Sequence, residues 1–397
     1  LRDFLSLDGL SRQEVAELVA LARRLQERPE PEALRGRILG LLFFNPSLRT
    51  LASFQAGMAR LGGTSFVIAP GQGSWLLETR TGVVMDGAAA EHVREAIPVL
   101  AGYADALGIR AFAGGQDLAA DLADETFRAM AAVCPVPLVN MESAVDHPCQ
   151  ALGDWKTLDD LGVPAAGGRF VLSWAWHPKP LPLAVPAAAV HMAALRGMEV
   201  TVLRPAGYAL PAAVMERARR AAAASGGSVR ETDDREAALA GAHVVYAKSW
   251  GSPERYGWGG AGGSPAGGAG AAGGAAGTDA AAAARAAATA ADAADAAAAE
   301  AALRAPLRGW CVAESWFAGA APGCRFMHCL PVRRGAVVRD EVLDGPRSVV
   351  VPQAHNRMWV QMAVLHRLLG PGAERGAAAA DHAAVAGFAP PAGGEVS

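Results

Sequence analysis

The chain has 397 residues, with 36 Lys and Arg against 39 Asp and Glu and a formal net charge of −3. That near-balance argues against a general nucleic-acid binder, which carries a clustered basic excess, and against attachment to membranes by charge. No apolar run of 18 or more residues has the Leu, Ile and Val of a membrane span, and five Cys without a CxxC pair fit reduced thiols, with zinc-ligand spacing absent. The opening residues, LRDFLSLDGLSRQEV, have no basic-then-apolar signal pattern, so a cytoplasmic protein is expected, and the absent first Met suggests a slightly truncated start. Its length predicts two domains.

In chain order, Ser11 with Glu14 forms a capping box that opens an amphipathic helix through Leu25. ILGLLFF (38–44) reads as a buried strand stopped by Asn45-Pro46, followed by a helical ASFQAGMARLG and a second strand, SFVIA (65–69). A helix from Glu91 to Tyr103 leads into ALGIRAF. PVPLVNM, RFVLSWAW, EVTVLRP, HVVYAKSW, RFMHCLPV and SVVVPQA read as further apolar strands. QAHNRMWVQMAVLHRLL (353–369) reads as a C-terminal helix, with Arg357 in its first turn.

Continuous apolar strands alternating with helices predict an α/β protein: two doubly wound parallel-sheet domains with a cleft between them, meeting near residues 143–150. The expected divisions are 1–144, 145–352 and a helix 353–369 returning to the first domain. Residues 259–302, mostly Ala and Gly, are expected to be a surface insertion without core-forming side chains, flexible first and then helical from Thr278. The tail 370–397 is expected to be disordered.

In such sheets ligands bind beyond the carboxyl ends of the strands, where the notable polar residues stand. After the first strand, Ser47, Arg49 and Thr50 fall at a helix N-terminus, where free N–H groups and the macrodipole favour an anion. GQG (71–73) is too short for a dinucleotide fingerprint, and GxxxxGK[ST] is absent. Arg110 is the lone charge in an apolar run. VDHPCQ (145–150) sets His147 and Gln150 three residues apart around Pro148, which fits a first helical turn. His147 has a donor for a carbonyl oxygen and Gln150 an acceptor for an amide. HCLPVRR (328–334) places Arg333 and Arg334 just beyond another strand. Arg357, in a first turn, opposes the helix dipole and so points to a ligand.

Taken together, SxRT (47–50), the strand-end Arg110, HPxQ (147–150), HCLP (328–331) and Arg357 resemble the transcarbamylase family, over a span from about Phe4 to Leu369. Within it, FFNPSLRT, GSWLLETRTGVVMDG, GIRAFAG, NMES, HPCQ, WAWHPKPLP, YAKSW and HCLPVRR look like the branch acting on N-acylated ornithine. The resemblance implies that Ser47, Leu48, Arg49 and Thr50 hold the phosphate of carbamoyl phosphate, with Arg357. Thr50, Arg110 and His147 would donate to the carbamoyl oxygen. Gln150 and the carbonyls of Cys329 and Leu330 would orient its NH2. Glu142, His177, Lys248 and Arg333 would hold the acylated ornithine. Trp75 would complete the neighbouring subunit's site in a homotrimer, and neither metal nor organic cofactor is implied.

Three departures matter. Leu51 stands where the family usually has a second Arg. Ala90 stands where relatives using N-acetylornithine carry a Glu and those using N-succinylornithine a Pro, and Val337 stands where the acetyl users have a Lys. Succinyl is therefore the expected acyl group, with acetyl as the alternative and a catalytically silent paralogue as a second one. The missing SMG loop disfavours plain ornithine, and HCLP in place of HPLP disfavours aspartate. A dehydrogenase of similar fold lacks its GxGxxG.

Overall fold

Every strand pairing between elements described in this computed structural model is parallel. The structure describes residues 1–115, 117–253 and 294–373. The expected flexible stretch and most of the tail lie outside the described residues.

The strands are β1 (Ile38–Phe43), β2 (Thr64–Ile68), β3 (Leu76–Glu78), β4 (Ala89–His92), β5 (Ala106–Arg110), β6 (Leu138–Glu142), β7 (Arg169–Trp174), β8 (Glu199–Leu203), β9 (Ser228–Thr232), β10 (Val244–Lys248) and β11 (Arg325–Met327). One sheet has the order β2-β1-β5-β6, the other β11-β10-β7-β8-β9, and β3 pairs with β4 in a separate ribbon. Strands β5, β6 and β10 are buried along their whole length, as parallel strands covered on both faces must be. Helix Ala184–Arg196 is buried all round, which its largely apolar content, rich in Ala, permits.

The helix Val350–Leu369 runs back across helices Arg12–Glu27, Leu48–Arg60 and Pro148–Asp160, tying both halves of the chain together. Two glycines allow the approach: a Cβ at Gly57 would stand 3.1 Å from Met362, and one at Gly153 would stand 3.2 Å from Arg357 Cγ.

Several expectations require correction. SVVVPQA is not a strand; Val350 already begins the C-terminal helix. Pro352 sits in the first turn, where the missing N–H has no helical partner to lose, so the β-branched run is helical by tertiary packing. Arg357 is consequently two turns inside the helix, and the dipole argument for it does not hold. The helix expected over 91–103 is Val93–Ala101, because Ala89–His92 is extended against β3. Strand β9 has no apolar run to mark it in the sequence: it is a charged edge strand carrying Arg230 and Glu231, the composition that edges use against further pairing. The end of the Ala-rich stretch is not a core-free insertion either. Residues 294–304 are helical, Ala296 and Glu300 are buried one turn apart, and Glu300 accepts from Tyr208 Oη at 3.2 Å while pairing with Arg304.

Leu51, in place of the family's usual Arg, is half-buried and packs on the main apolar core. Among the described residues no helix is long and apolar enough to cross a membrane, and no group of three or more His, Cys, Asp or Glu is placed to hold a metal ion.

Candidate active site

Between the two sheets, at the carboxyl ends of β1, β5, β6 and β10, lies a cavity of about 390 Å³. Of the residues expected at the site, Ser47, Leu48, Arg49, Thr50, Arg110, Glu142, His147, Gln150, His177, Lys248, Cys329, Leu330 and Arg357 line it. Arg333 stands beside it, its Nε donating to His177 Nε2 at 3.1 Å. Trp75 and Ala90 are not brought into this cavity. Ala90 lies on β4 and Trp75 immediately before β3, where Trp75 is 60% exposed and its Nε1 donates to Glu91 Oε2 at 2.8 Å.

The SLRT segment enters a helix at this cavity. Ser47 is the N-cap, its Oγ accepting from the Thr50 N–H at 3.3 Å. The Thr50 Oγ1 accepts from Ser47 Oγ at 3.0 Å and from Arg357 Nη2 at 2.8 Å, so its own hydroxyl proton remains to be donated. Burial pushes the Arg49 and Arg357 guanidinium groups down from their ordinary values, and the Nε of each has no partner. Four cations, Arg49, Arg110, Lys248 and Arg357, face a single carboxylate, Glu142. Such an excess in a shielded cavity calls for an anion.

A register shift between β5 and β6 at Ile109/Arg110 sets Arg110 opposite Glu142, and the two form a buried ion pair. The Arg110 guanidinium also lies over the Phe112 ring, 4.6 Å from its centroid, while its Nε stays unpartnered. His147 caps the next helix ahead of Pro148, and Asp146 Oδ1 accepts its N–H at 2.8 Å. Burial first, then the nearby Arg357, Arg110 and Lys248, hold the His147 imidazole well below its ordinary value, so it is neutral. Its Nε2 is 3.6 Å from Glu142, too far for a hydrogen bond, and Nδ1 has no partner. Gln150 gives its Nε2 to Asp154 at 2.7 Å, which leaves Oε1 as an unsatisfied acceptor. Buried polar atoms are normally paired, so this cluster of orphans marks a polar ligand site.

On the opposite wall, His177 Nε2 accepts from Arg333 Nε, while Nδ1 lies 2.8 Å from the Lys179 carbonyl and 3.1 Å from the Lys179 N–H. Burial and the charges of Arg333 and Lys248 lower its pKa and keep it neutral. The HCLP turn is held by His328, whose Nδ1 accepts from the Leu330 N–H at 2.8 Å and whose N–H donates to Gln353 Oε1 at 3.0 Å. Phe112 and His328 were not singled out from the sequence, although both fall inside the motif strings GIRAFAG and HCLPVRR. Chemically, the site joins a helix N-terminus flanked by buried guanidinium groups, an unpartnered His147 Nδ1, an unsatisfied amide acceptor on Gln150 and the cations Lys248 and Arg333 on the far side.

The comparisons with known proteins agree with this arrangement. The family description "Aspartate/ornithine carbamoyltransferase, carbamoyl-P binding domain" matches residues 2–160, and its "Asp/Orn binding domain" matches 185–256 and 286–368. The chain is 35% identical to the N-acetylornithine carbamoyltransferase of Xanthomonas campestris pv. campestris over 93% of its length and 98% of that protein's. It is 32% identical to the N-succinylornithine carbamoyltransferase of Bacteroides fragilis, covering 84% of this chain and 88% of that one. Among solved structures, one similar to this chain is an N-acetyl-L-ornithine transcarbamylase variant with a glutamate replaced by alanine, complexed with carbamyl phosphate and N-succinyl-L-norvaline. Its TM-score is 0.79 at 35% identity, over 93% of this chain and all of that one. With motifs, fold and cavity in agreement over nearly the whole chain, the protein belongs to the aspartate/ornithine carbamoyltransferase family.

Proposed function

We propose that this enzyme transfers the carbamoyl group of carbamoyl phosphate to the side-chain amine of an N-acylated ornithine, N-succinyl-L-ornithine, giving N-succinyl-L-citrulline and phosphate in arginine biosynthesis. The amine nitrogen attacks the carbonyl carbon, the new C–N bond forms, and the C–O bond to phosphate breaks. The proton lost from the amine goes to the leaving phosphate. Ser47, the Leu48 backbone, Arg49, Thr50 and Arg357 hold the phosphate. Thr50, Arg110 and the neutral His147 donate to the carbamoyl oxygen as charge grows on it; each such donor is worth about 10²–10³ in rate. Gln150 Oε1 and the carbonyls of Cys329 and Leu330 accept from the carbamoyl NH2. Glu142, His177, Lys248 and Arg333 hold the acylated ornithine, the cations on its carboxylates.

Trp75 and Ala90 act in the neighbouring subunit's site within a homotrimer. In support, Ala90 on β4 and Trp75 just before β3 are exposed and lie away from their own chain's cavity, as do the exposed Val84 and Met85 of the segment joining the two strands.

The observation behind succinyl is Ala90. In acetyl-using relatives a Glu is expected there, and its charge would oppose the free carboxylate of a succinyl group. The glutamate-to-alanine variant holding N-succinyl-L-norvaline, with its glutamate taken as the one at this position, points the same way. Among the relatives the acetyl reading is the better supported, the N-acetylornithine carbamoyltransferase being 35% identical against 32% for the N-succinylornithine one. A side-by-side assay with carbamoyl phosphate and N-succinylornithine, N-acetylornithine or ornithine decides the matter. Succinyl should have the highest kcat/KM, and Ala90→Glu should swing preference toward acetyl by about 10–200-fold. Faster turnover of N-acetylornithine by the unaltered enzyme overturns the succinyl assignment.

A further inference from the structure

Behind the cavity wall, one carboxylate oxygen gathers two amide donors from two helices. Asp154 lies one turn after Gln150 and is 1% exposed. Its Oδ1 accepts from Gln150 Nε2 at 2.7 Å and from Gln353 Nε2 at 2.7 Å. Gln353, fully buried on the C-terminal helix, accepts the His328 N–H at 3.0 Å through Oε1, and His328 Nδ1 accepts from Leu330 N–H. The two sets of acceptors assigned above to the carbamoyl NH2 therefore depend on the same atom. The Gln150 carbonyl depends on it directly, and the Cys329 and Leu330 carbonyls depend on it through Gln353 and His328.

We propose that Asp154, with Gln353, is a positioning residue that aims both carbamoyl-NH2 acceptors. The terminal torsion of a glutamine is nearly two-fold, so an amide with both ends free can present either oxygen or NH2. Holding Nε2 on Asp154 selects the oxygen for the cavity. An NH2 presented there instead would meet the substrate's NH2, donor against donor, and leave both buried groups unsatisfied. The left-handed backbone at Leu330, φ 55°, needs similar support, since a non-glycine residue does not rest there unaided. This inference rests on the assignment of carbamoyl phosphate to the cavity.

The test compares carbamoyl phosphate with inorganic phosphate by calorimetry on the purified full chain. Inorganic phosphate uses the SLRT cradle and has no NH2, so a positioning role predicts a split between the two ligands. Asp154→Ala should weaken carbamoyl phosphate about 10–100-fold while phosphate binding stays within about twofold. Asp154→Asn, which can keep an acceptor at Oδ1, should recover most of that loss. Gln353→Met severs the His328 arm alone and should weaken carbamoyl phosphate about 3–10-fold, which keeps the test open if Asp154→Ala does not fold. Equal weakening of both ligands, or no weakening of either, overturns the proposal. If the unaltered chain itself fails to bind carbamoyl phosphate, the assigned function is what falls.

Discussion

At Arg49 a single side chain carries the boundary between binding and folding. It stands in the first turn of its helix with Nε unpartnered, so its removal strips charge from the cavity without opening the apolar core. Arg49→Ala should weaken carbamoyl phosphate binding by about 10–150-fold, the value of one charge-assisted contact, with an unchanged circular dichroism spectrum. Saturation by carbamoyl phosphate at wild-type concentrations would remove the phosphate cradle from the mechanism. Asp154 makes a second prediction at this scale. Burial raises its carboxyl from the ordinary 3.8 to about 7, against the pull of its hydrogen bonds to Gln353 and Gln150 and of the Arg357 charge; Tyr246 on β10 faces it from the other side. The folded chain thus keeps a proton that the unfolded chain releases near 3.8. The favourable contribution of Asp154 is complete below that value, declines as pH rises, and is gone above about 7. The Tm of Asp154→Asn relative to wild type should therefore climb between about pH 4 and pH 7 and then level off. A difference that stays flat across that range would show that the carboxyl ionises freely.

Between elements, helix ends and close crossings set the site. Ser11 and Ser47 are both N-caps, but only Ser47 borders the cavity. Ser11→Ala should cost about 0.5–2 kcal/mol in a denaturant melt and leave kcat and KM alone. Altered kinetics in that variant would mean that the N-terminal helix reaches the site. The crossing at Gly153 is more consequential. A Cβ there stands 3.2 Å from Arg357 Cγ, and Arg357 Nη2 is the donor to Thr50 Oγ1. Gly153→Ala should raise KM for carbamoyl phosphate by about 3–10-fold through this shift of Arg357. The melting temperature should move little, because Ala gains about 1 kcal/mol over Gly in a helix. An unchanged KM would mean that the two helices separate without disturbing Arg357.

For the whole molecule, the position of Trp75 is decisive. Its ribbon lies outside its own chain's cavity, and the proposed function has it complete a neighbour's. Trp75→Ala alone should lose activity yet keep the assembled mass measured by sedimentation. Mixed with Arg49→Ala subunits under exchange, it should regain activity, because a site pairing Arg49 of one parent with Trp75 of the other is intact. Random one-to-one mixing in a ring restores about one site in four. Exchange shown by mass spectrometry without any such recovery would argue that each chain builds its site alone.

How far the sequence carries depends on the distance between interacting residues. ILGLLFF, ALGIRAF and HVVYAKSW are strands because their apolar runs need cover on both faces, and that need is local. Ser11 with Glu14, and His147 before Pro148, likewise announce helix starts within four residues. The ordered motifs named the cavity lining for the same reason: each is a short string at a strand end. Tertiary structure alone decided the rest. Three valines before Pro352 have strand propensity, yet two of them, Val350 and Val351, open a helix that packs against three others. Strand β9 and the β3–β4 ribbon lack the apolar run that marks a covered strand. The Arg357–Thr50 contact spans 307 residues and the Gln353–Asp154 contact 199. No local spacing encodes such pairs: their partners are set by which helices cross, and the crossings by burial summed over the whole chain.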